Sequence, residues 1–312
     1  MADGSEWMQS GQQSAIDLLS KVIAGHAELD GSRRRPVLVG LLGRGIQSSR
    51  SPVMHQREGA RLGMRFTYAL VDFDRLGLPD SMLGEVIAGA EQLGFAGVNV
   101  THPFKQSVIA HLADLSPEAA DIGAVNTVVF DNGRRIGHNT DCWGFAESFY
   151  EHMGGCPLDS VLQFGAGGGG AAVAHALLEL GVGELALFDI DGSRSEQLAR
   201  RLAVRFGGVI TPVTELQPAL ACVSGIVNTT PIGMDKYPGV PFPTDLLESR
   251  HWVADIVYFP QETELLRLAR GLGCRTIAGA GMAVYQAVKA FELFTGVAPD
   301  RTAMTLHFGA AA

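Results

Sequence analysis

Cysteine is scarce in this 312-residue chain: Cys142, Cys156, Cys222 and Cys274 stand apart, with no CxxC pair. That spacing suggests neither a disulfide scaffold nor a zinc site, and it fits a reduced, cytoplasmic compartment. Charge is sparse too. Charged residues make up 18%, below the roughly 25% of an average globular chain. Hydrophobic residues reach 46%, a balance that excludes a disordered chain. Basic excess is missing: the formal net charge of -9 argues against a nucleic-acid partner, and a small anionic ligand would have to be held by local groups against that field. Long apolar runs are missing as well. The longest candidate, residues 171–188, is broken by His175, Glu179 and Glu184, so no membrane span of roughly 20 residues is expected. The opening "MADGSEWMQSGQQ" has no basic start followed by an apolar core, so it is not read as a secretory signal.

What is present is an alternation of strands and helices. The length suits two domains. Residues 1–35 read as an N-terminal appendage, with Ile16, Leu19 and Ile23 on one helical face and "DGSRRRP" as a linker. "VLVGLLG" reads as a buried strand. "SPVMHQREGARLG" then opens a helix, with Ser51 as N-cap and Pro52 at the first helical position. "FTYALVDF", a helix near 81–92, and "GVNVTHPFK" follow. Ser116 and Pro117 start another helix, and the "DNG" at Asp131–Gly133 predicts a hairpin turn. From about residue 143 the pattern restarts with "SVLQFGAGGGGAAVAHALLELG", read as strand, glycine loop and helix. "ELALFDIDGS", "VSGIVNTTPIGM", "WVADIVYFP" and "CRTIAGAGM" continue it. "AVYQAVKAFELFTG" is one amphipathic helix ended by Gly296. This alternation predicts layered α/β sheets, mostly parallel, with one antiparallel hairpin.

Two clusters carry chemistry. In "FGAGGGGAA", Gly165, Gly167 and Gly170 satisfy GxGxxG between a strand and a helix. Glycines there permit a tight turn and let backbone N–H groups reach a pyrophosphate. A flexible loop is the plainer alternative. Asp189 stands 24 residues after Gly165, where a carboxylate can accept from the ribose hydroxyls and repel a 2′-phosphate. A loop acid or helix cap is the plainer reading, and Arg194 nearby could welcome a phosphate. The second cluster lies in "GVNVTHPFKQ", where Lys105 follows a strand end and a rigid Pro103. It is either a solvated charge or a catalytic ammonium. Asp141, in "GHNTDCWGF", is its candidate partner, with helix capping as the alternative. Ligands of open α/β sheets gather outside the carboxyl ends of strands. His55 and His102 have no partner at metal-ligand spacing and read as packing or hydrogen-bonding residues.

The ordered blocks "SRSPVMH", "GVNVTHPFK", "GAVNT", "GHNTD", "GAGGGG", "NTTPIGM", "DIVYFPQETELL" and "GMAVYQA" resemble the shikimate dehydrogenase family, and within it the NAD-linked quinate/shikimate dehydrogenases. The likeness runs from about residue 37 to the C-terminus and leaves out the appendage. It implies a two-domain α/β fold with an active-site cleft between the domains. The substrate-binding domain would be a mixed α/β unit of residues 36–142 and 285–312. Residues 143–284 would form a Rossmann domain with a doubly wound parallel sheet. The resemblance implies Lys105 and Asp141 as the catalytic pair, and Ser49, Ser51, Thr101, Asn126, Tyr258 and Gln286 around the substrate. It implies Gly165, Ala166, Gly167, Gly168, Gly169, Gly170, Asp189, Arg194, Thr229, Gly279 and Met282 around the cofactor, and no metal.

That family oxidises a ring hydroxyl to a ketone by hydride transfer to nicotinamide, and the hydroxyl must also lose a proton. Burial of a lysine favours its neutral form and a neighbouring carboxylate favours its charged form. The residue types therefore leave open whether the ammonium acts as base or stabilises an alkoxide. The hydroxyls of Ser49, Ser51 and Tyr258 would hold a ring carboxylate, and Asn126 and Gln286 can donate to and accept from ring hydroxyls. The segment "FDIDGSR" favours NAD over NADP. Ser51 leans toward shikimate, with quinate as the larger option. The substrate is thus expected to be a hydroxylated cyclohexene or cyclohexane carboxylate. An amino-substituted ring and a non-catalytic nucleotide-sensing homologue are the alternatives, and a homodimer is compatible with the sequence.

Overall fold

The computed structural model describes residues 15–24 and 37–309. The segment read as non-secretory, most of the 1–35 appendage and the "DGSRRRP" linker lie outside the described residues. Contacts divide the chain into two compact units. The first holds residues up to Ala119, Ala124–Thr140, and those from Ala287 on; the second holds Ala120–Gly123 and Asp141–Gln286.

In chain order, the first unit begins with helix α1 (15–24). Then come β1 (Val37–Gly43), α2 (Ser51–Arg61), β2 (Phe66–Asp72), α3 (Leu83–Gln92), β3 (Gly97–Val100), β4 (Asp114–Leu115), α4 (Pro117–Ile122, whose residues from Ala120 on belong to the second unit), β5 (Thr127–Asp131) and β6 (Arg134–His138). Its six strands lie in the order β2-β1-β3-β5-β6-β4. β1 pairs in parallel with β2 and β3, and β5 runs antiparallel to β3 and β6. The hairpin turns at Asn132 and Gly133, both at positive φ (49° and 78°), as a two-residue turn demands.

Alternation along β1 sorts its side chains to two faces. Val39 and Leu41 pack with Phe66, Tyr68, Phe291 and Phe294. Leu42 joins Val71, Phe73, Leu83, Val86, Ile87, Val98 and Val100 on the other face. Each fully buried Leu, Val or Phe contributes roughly 1.5–3 kcal/mol. Leu19 of α1 is fully buried in that second cluster, and its Cδ1 would lie 3.2 Å from a Cβ at Gly89 of α3. Ile16 and Ile23, on the same helical face, are half-buried.

The second unit contains α5 (Thr140–Met153), β7 (Ser160–Phe164), α6 (Gly168–Glu179), β8 (Glu184–Phe188), α7 (Gly192–Phe206), β9 (Ile210–Pro212), α8 (Leu216–Cys222), β10 (Gly225–Asn228), β11 (Trp252–Asp255), α9 (Glu264–Gly271), β12 (Thr276–Ala278) and α10 (Gly279–Thr295). α10 continues into the first unit, which α11 (Arg301–Gly309) completes. The six strands are parallel, in the order β12-β11-β10-β7-β8-β9. The direction of winding reverses beside β7, the place where open α/β sheets bind ligands. Among the described residues, no helix is long and apolar enough to cross a membrane.

Candidate active site

In the first unit the candidates lie in the chain next to strand ends that open on one side of the sheet. β1 and β3 are parallel, so the residues that follow them share the carboxyl-end side. β5 is reversed, with Thr127 opposite Asn99, which brings Asn126 to the same edge. Asp72, at the end of β2, shapes the loop leading to Ser49. Its carboxylate accepts from the backbone N–H of Gly45 and Ile46 (both 3.1 Å) and from Gln47 Nε2 (2.9 Å). Burial works against its charge, but these donors outweigh burial and hold its pKa below the usual carboxylate value.

Ser51 does not cap α2: it is the first helical residue, and Arg50 occupies the cap position without a side-chain capping bond. Pro52 fixes φ in the first turn, and the Ser49 hydroxyl accepts from Ser51 N–H at 3.3 Å. The Arg50 guanidinium is engaged with α11, donating to Phe308 O at 2.9 Å and lying 4.8 Å from that ring. His55 packs among Phe66, Tyr68, Phe291 and Phe294, with Nδ1 2.8 Å from Ser51 O. Burial lowers its pKa to about 4; it is a neutral core residue, as its spacing suggested.

Thr101 continues the β1 pairing through its N–H to Leu42 O, 2.9 Å. Phe104 then plugs the core against Phe73, with ring centroids 4.5 Å apart. Lys105 follows it, half-buried, and its carbonyl accepts from Val125 N–H at 2.7 Å. The lysine backbone is thus pinned from both sides. The buried Asn126 amide is engaged with Thr140: Oδ1 accepts from Thr140 N–H (2.8 Å) and Nδ2 donates to Thr140 Oγ1 (3.0 Å). Thr140 opens α5, and Asp141 follows it in the first turn, 7% exposed.

In the second unit, β7 runs straight into the glycine loop. Gly165 has φ +98° and donates to Phe188 O at 2.8 Å. A Cβ at Gly170 would lie 2.3 Å from Gly165 O and 2.8 Å from Thr229 Oγ1, so only glycine closes this turn. A Cβ at Gly167 would meet nothing within 4 Å, so packing does not demand glycine there. The first intrahelical bond of α6 is Ala171 N–H to Gly167 O, which leaves the N–H groups of Gly168, Gly169 and Gly170 without helical acceptors. This is a cradle suited to a pyrophosphate.

Asp189 sits at the end of β8 beside the loop. Its Oδ2 accepts from Ala166 N–H (2.7 Å) and its Oδ1 from Asp191 N–H (3.0 Å). Arg194 lies in the exposed first turn of α7, 3.5 Å from Asp191. Thr229 follows β10 and donates to Phe164 O (2.7 Å) and Gly165 O (2.9 Å), tying its loop to the glycine turn.

A small pocket lies beyond β11 and β12, lined in part by Phe145, Ser148, Asp255, Ile256, Gly279 and Met282. Tyr258 follows β11 and is 40% exposed. Gln286 lies one turn beyond Met282 on α10, with Nε2 donating to Ala283 O at 2.9 Å. Gly144 lets α5 meet α10 here: a Cβ would lie 2.7 Å from Gln286 N and 2.8 Å from Met282 O.

Three supporting groups went unread in the sequence. Asp72 is one. Gln163, fully buried in β7, donates through Nε2 to both Gly165 O (2.9 Å) and Gly170 O (2.8 Å), holding the two ends of the glycine turn. Asp255 is the third. Its Oδ1 accepts from Asn228 Nδ2 and Val257 N–H (both 3.0 Å) and its Oδ2 from Thr263 Oγ1 (2.7 Å). A polar residue inside a strand otherwise read as buried and apolar is the signal that could have found Gln163 and Asp255.

Comparison with known proteins gives the family. Residues 41–128 match the shikimate dehydrogenase substrate binding domain, and residues 279–305 match the shikimate 5'-dehydrogenase C-terminal domain. A relative from Streptomyces avermitilis named shikimate dehydrogenase (NADP(+)) is 52% identical over 271 residues, 86% of this chain and 93% of that protein. A Corynebacterium glutamicum relative named quinate/shikimate dehydrogenase (NAD(+)) is 44% identical over 87% of this chain and 98% of that protein. The solved structure of quinate dehydrogenase from Corynebacterium glutamicum in complex with NAD superposes with a TM-score of 0.84 at 43% identity, covering 88% of this chain and 99% of that one.

Proposed function

Because the chain belongs to the shikimate dehydrogenase family, we propose that it oxidises a ring hydroxyl of shikimate reversibly to the ketone, with NAD as hydride acceptor and quinate as a second substrate. The observation that carries the reading is that one chain holds two constructions. One is the side of the first sheet at which β1 and β3 end and β5 begins, next to which the chain carries the proposed substrate residues Ser49, Ser51, Thr101, Lys105 and Asn126. The other is the glycine cradle where the parallel sheet reverses its winding. The relatives' names divide between NADP(+) and NAD(+). Asp189 favours NAD, since its carboxylate beside the loop accepts from ribose hydroxyls and repels a 2′-phosphate.

NAD, when bound, supplies the acceptor for the hydride leaving the carbinol carbon. Gly167–Gly170 N–H groups hold its pyrophosphate, Asp189 its ribose, and Thr229, Gly279 and Met282 flank the remainder. Ser49, Ser51 and Tyr258 hydroxyls bind the ring carboxylate, while Thr101, Asn126 and Gln286 orient the ring hydroxyls. As the proposed catalytic residues, Lys105 takes the hydroxyl proton, or stays charged and stabilises the alkoxide while Asp141 accepts that proton, and the proton returns by the same route in the reverse direction.

The test measures turnover with NAD or NADP against shikimate and quinate. The highest kcat/KM is expected for shikimate with NAD. Faster turnover with NADP overturns the role of Asp189, and no turnover with any pairing overturns the reading. Asp189→Ala is expected to weaken NAD by about 10- to 100-fold, the loss of one or two charge-assisted hydrogen bonds, and to narrow the gap to NADP. Unchanged affinities for both cofactors refute that assignment. Gly170→Ala is expected to weaken NAD by about tenfold or more, roughly 1.4 kcal/mol, as the turn opens to relieve the 2.3 Å contact with Gly165 O. Calorimetric NAD titration of the folded variant checks it, and wild-type affinity counts against the cradle.

A further inference from the structure

The second unit contains a side-chain cluster that the proposed reaction does not use. Cys142 of α5 is 3% exposed, and its Sγ lies 3.3 Å from Nδ1 of the fully buried His175 on α6. Glu179 stands four residues further along the same helix, on the face of His175. One ligand atom from each of the three lies within 4.8 Å of the others. We propose that Cys142, His175 and Glu179 form a binding site for a thiophilic divalent cation such as Zn²⁺ or Cd²⁺.

The distances suit that ion. With Zn–S near 2.3 Å and Zn–N near 2.0–2.1 Å, tetrahedral geometry places sulfur and nitrogen about 3.5 Å apart. The observed 3.3 Å is within a small side-chain adjustment of it. Three protein ligands leave a fourth position for water.

The second observation concerns the other ring nitrogen. His175 Nε2 is buried and has no hydrogen-bond partner, while Oδ2 of Asp121 on α4 waits 3.6 Å away. A metal-bound histidine usually gives its remaining N–H to a carboxylate, which orients the ring and raises its basicity. Here that carboxylate is already aimed, and Phe206 fixes the ring edge-on at 5.2 Å.

Charge balances as well. Arg205 bridges Asp121 (2.8 Å) and Glu179 (3.0 Å). Arg205 offsets Asp121, and a divalent ion offsets the Cys142 thiolate together with Glu179. Glu179 is the exposed member of the set and gives the ion its way in. The ligands come from positions 142, 175 and 179, and only the last two share a local spacing, so no sequence motif announces the site. A weak thiol–imidazole hydrogen bond within the core is the competing account. Cys142 follows Asp141 in one helical turn, so an effect of the ion on turnover would depend on the role proposed for Asp141. Binding does not depend on it.

The experiment titrates Cd²⁺ into full-length protein carrying Cys156→Ser and Cys222→Ser, and follows the ultraviolet thiolate-to-cadmium charge-transfer band. One saturable ion per chain is expected, displaced by Zn²⁺, with the band lost in Cys142→Ser. Glu179→Gln and Asp121→Asn should each weaken binding by about tenfold or more, and Glu179→His should restore it by supplying another ligand. These surface variants keep the test decisive whatever Cys142→Ser does to folding. Absence of the band overturns the site, as does a band that survives Cys142→Ser. A band unmoved by both Glu179→Gln and Asp121→Asn reduces it to a lone thiol.

Discussion

Lys105→Ala is expected to lower turnover of shikimate by about 10²–10⁴-fold, the range a positioned proton donor or acceptor supplies, while NAD affinity stays within about twofold. The backbone at this position survives the change. Phe104 remains buried against Phe73, and the carbonyl of residue 105 still accepts from Val125 N–H. What is lost is the ammonium, so the loss should fall on kcat more than on KM for shikimate. Lys105→Arg separates the two roles open to the group. A guanidinium keeps its charge and does not release a proton at accessible pH. If the residue acts as an acid–base group, Arg is as damaging as Ala; if it acts by stabilising the alkoxide, Arg recovers part of the rate. Stopped-flow reduction of NAD in single turnovers reads the chemical step directly. Retention of rate within about threefold in Lys105→Ala refutes the assignment and, with it, the pairing with Asp141.

The elements legible in the sequence were those whose physics is local. The "DNG" turn lies where Asn132 and Gly133 take positive φ, because few residues tolerate that backbone. Alternating Val39, Leu41 and Leu42 report a strand with two buried faces. Gly165 and Gly170 mark a turn that a side chain would block. The start of α2 was misread by one residue: Ser51 has the chemistry of a cap, yet Arg50 holds the cap position and its guanidinium is drawn to α11, 258 residues away along the chain. Long-range attachments of this kind leave no periodic trace. Asp72 holding the loop before Ser49 and Cys142 meeting His175 each join segments that no spacing rule connects. The substrate-side residues were named through resemblance; taken singly, Ser49 and Ser51 look like helix-start residues.

Asp255→Ala is expected to destabilise the second unit by about 3–5 kcal/mol, because it strands several buried donors at roughly 1–3 kcal/mol each. Asp255, Asn228 and Thr263 are all 1% exposed or less. The Asp255 carboxylate accepts from Asn228 Nδ2, Val257 N–H and Thr263 Oγ1. Asn228 in turn donates to Ile232 O (2.9 Å) and accepts from Thr230 N–H (3.0 Å), and Thr263 caps α9 by accepting from Leu266 N–H. One carboxylate therefore joins the loops after β10 and β11 to the start of α9. Burial raises its pKa from 3.8 to about 6, and the three donors only partly oppose that rise.

The sign of the pH effect follows. Between pH of about 4 and about 6 the folded state keeps a proton that the unfolded state has lost, so stability falls as pH rises through that window. A rise from 3.8 to about 6 corresponds to roughly 3 kcal/mol at full development. Asp255→Asn removes this dependence and keeps an oxygen for Asn228 and Val257. Its stability relative to wild type should therefore improve steadily as pH is raised from about 4 to about 7, in urea unfolding followed by tryptophan fluorescence. An Ala variant that loses less than about 1 kcal/mol would mean that water or loop rearrangement satisfies these donors and that Asp255 is not the tie between the two loops. A loss in Asp255→Ala together with a flat Asp255→Asn difference would keep the tie and place the proton elsewhere, since the hydrogen-bond count and the burial of charge are separate consequences of one carboxylate closed inside the sheet.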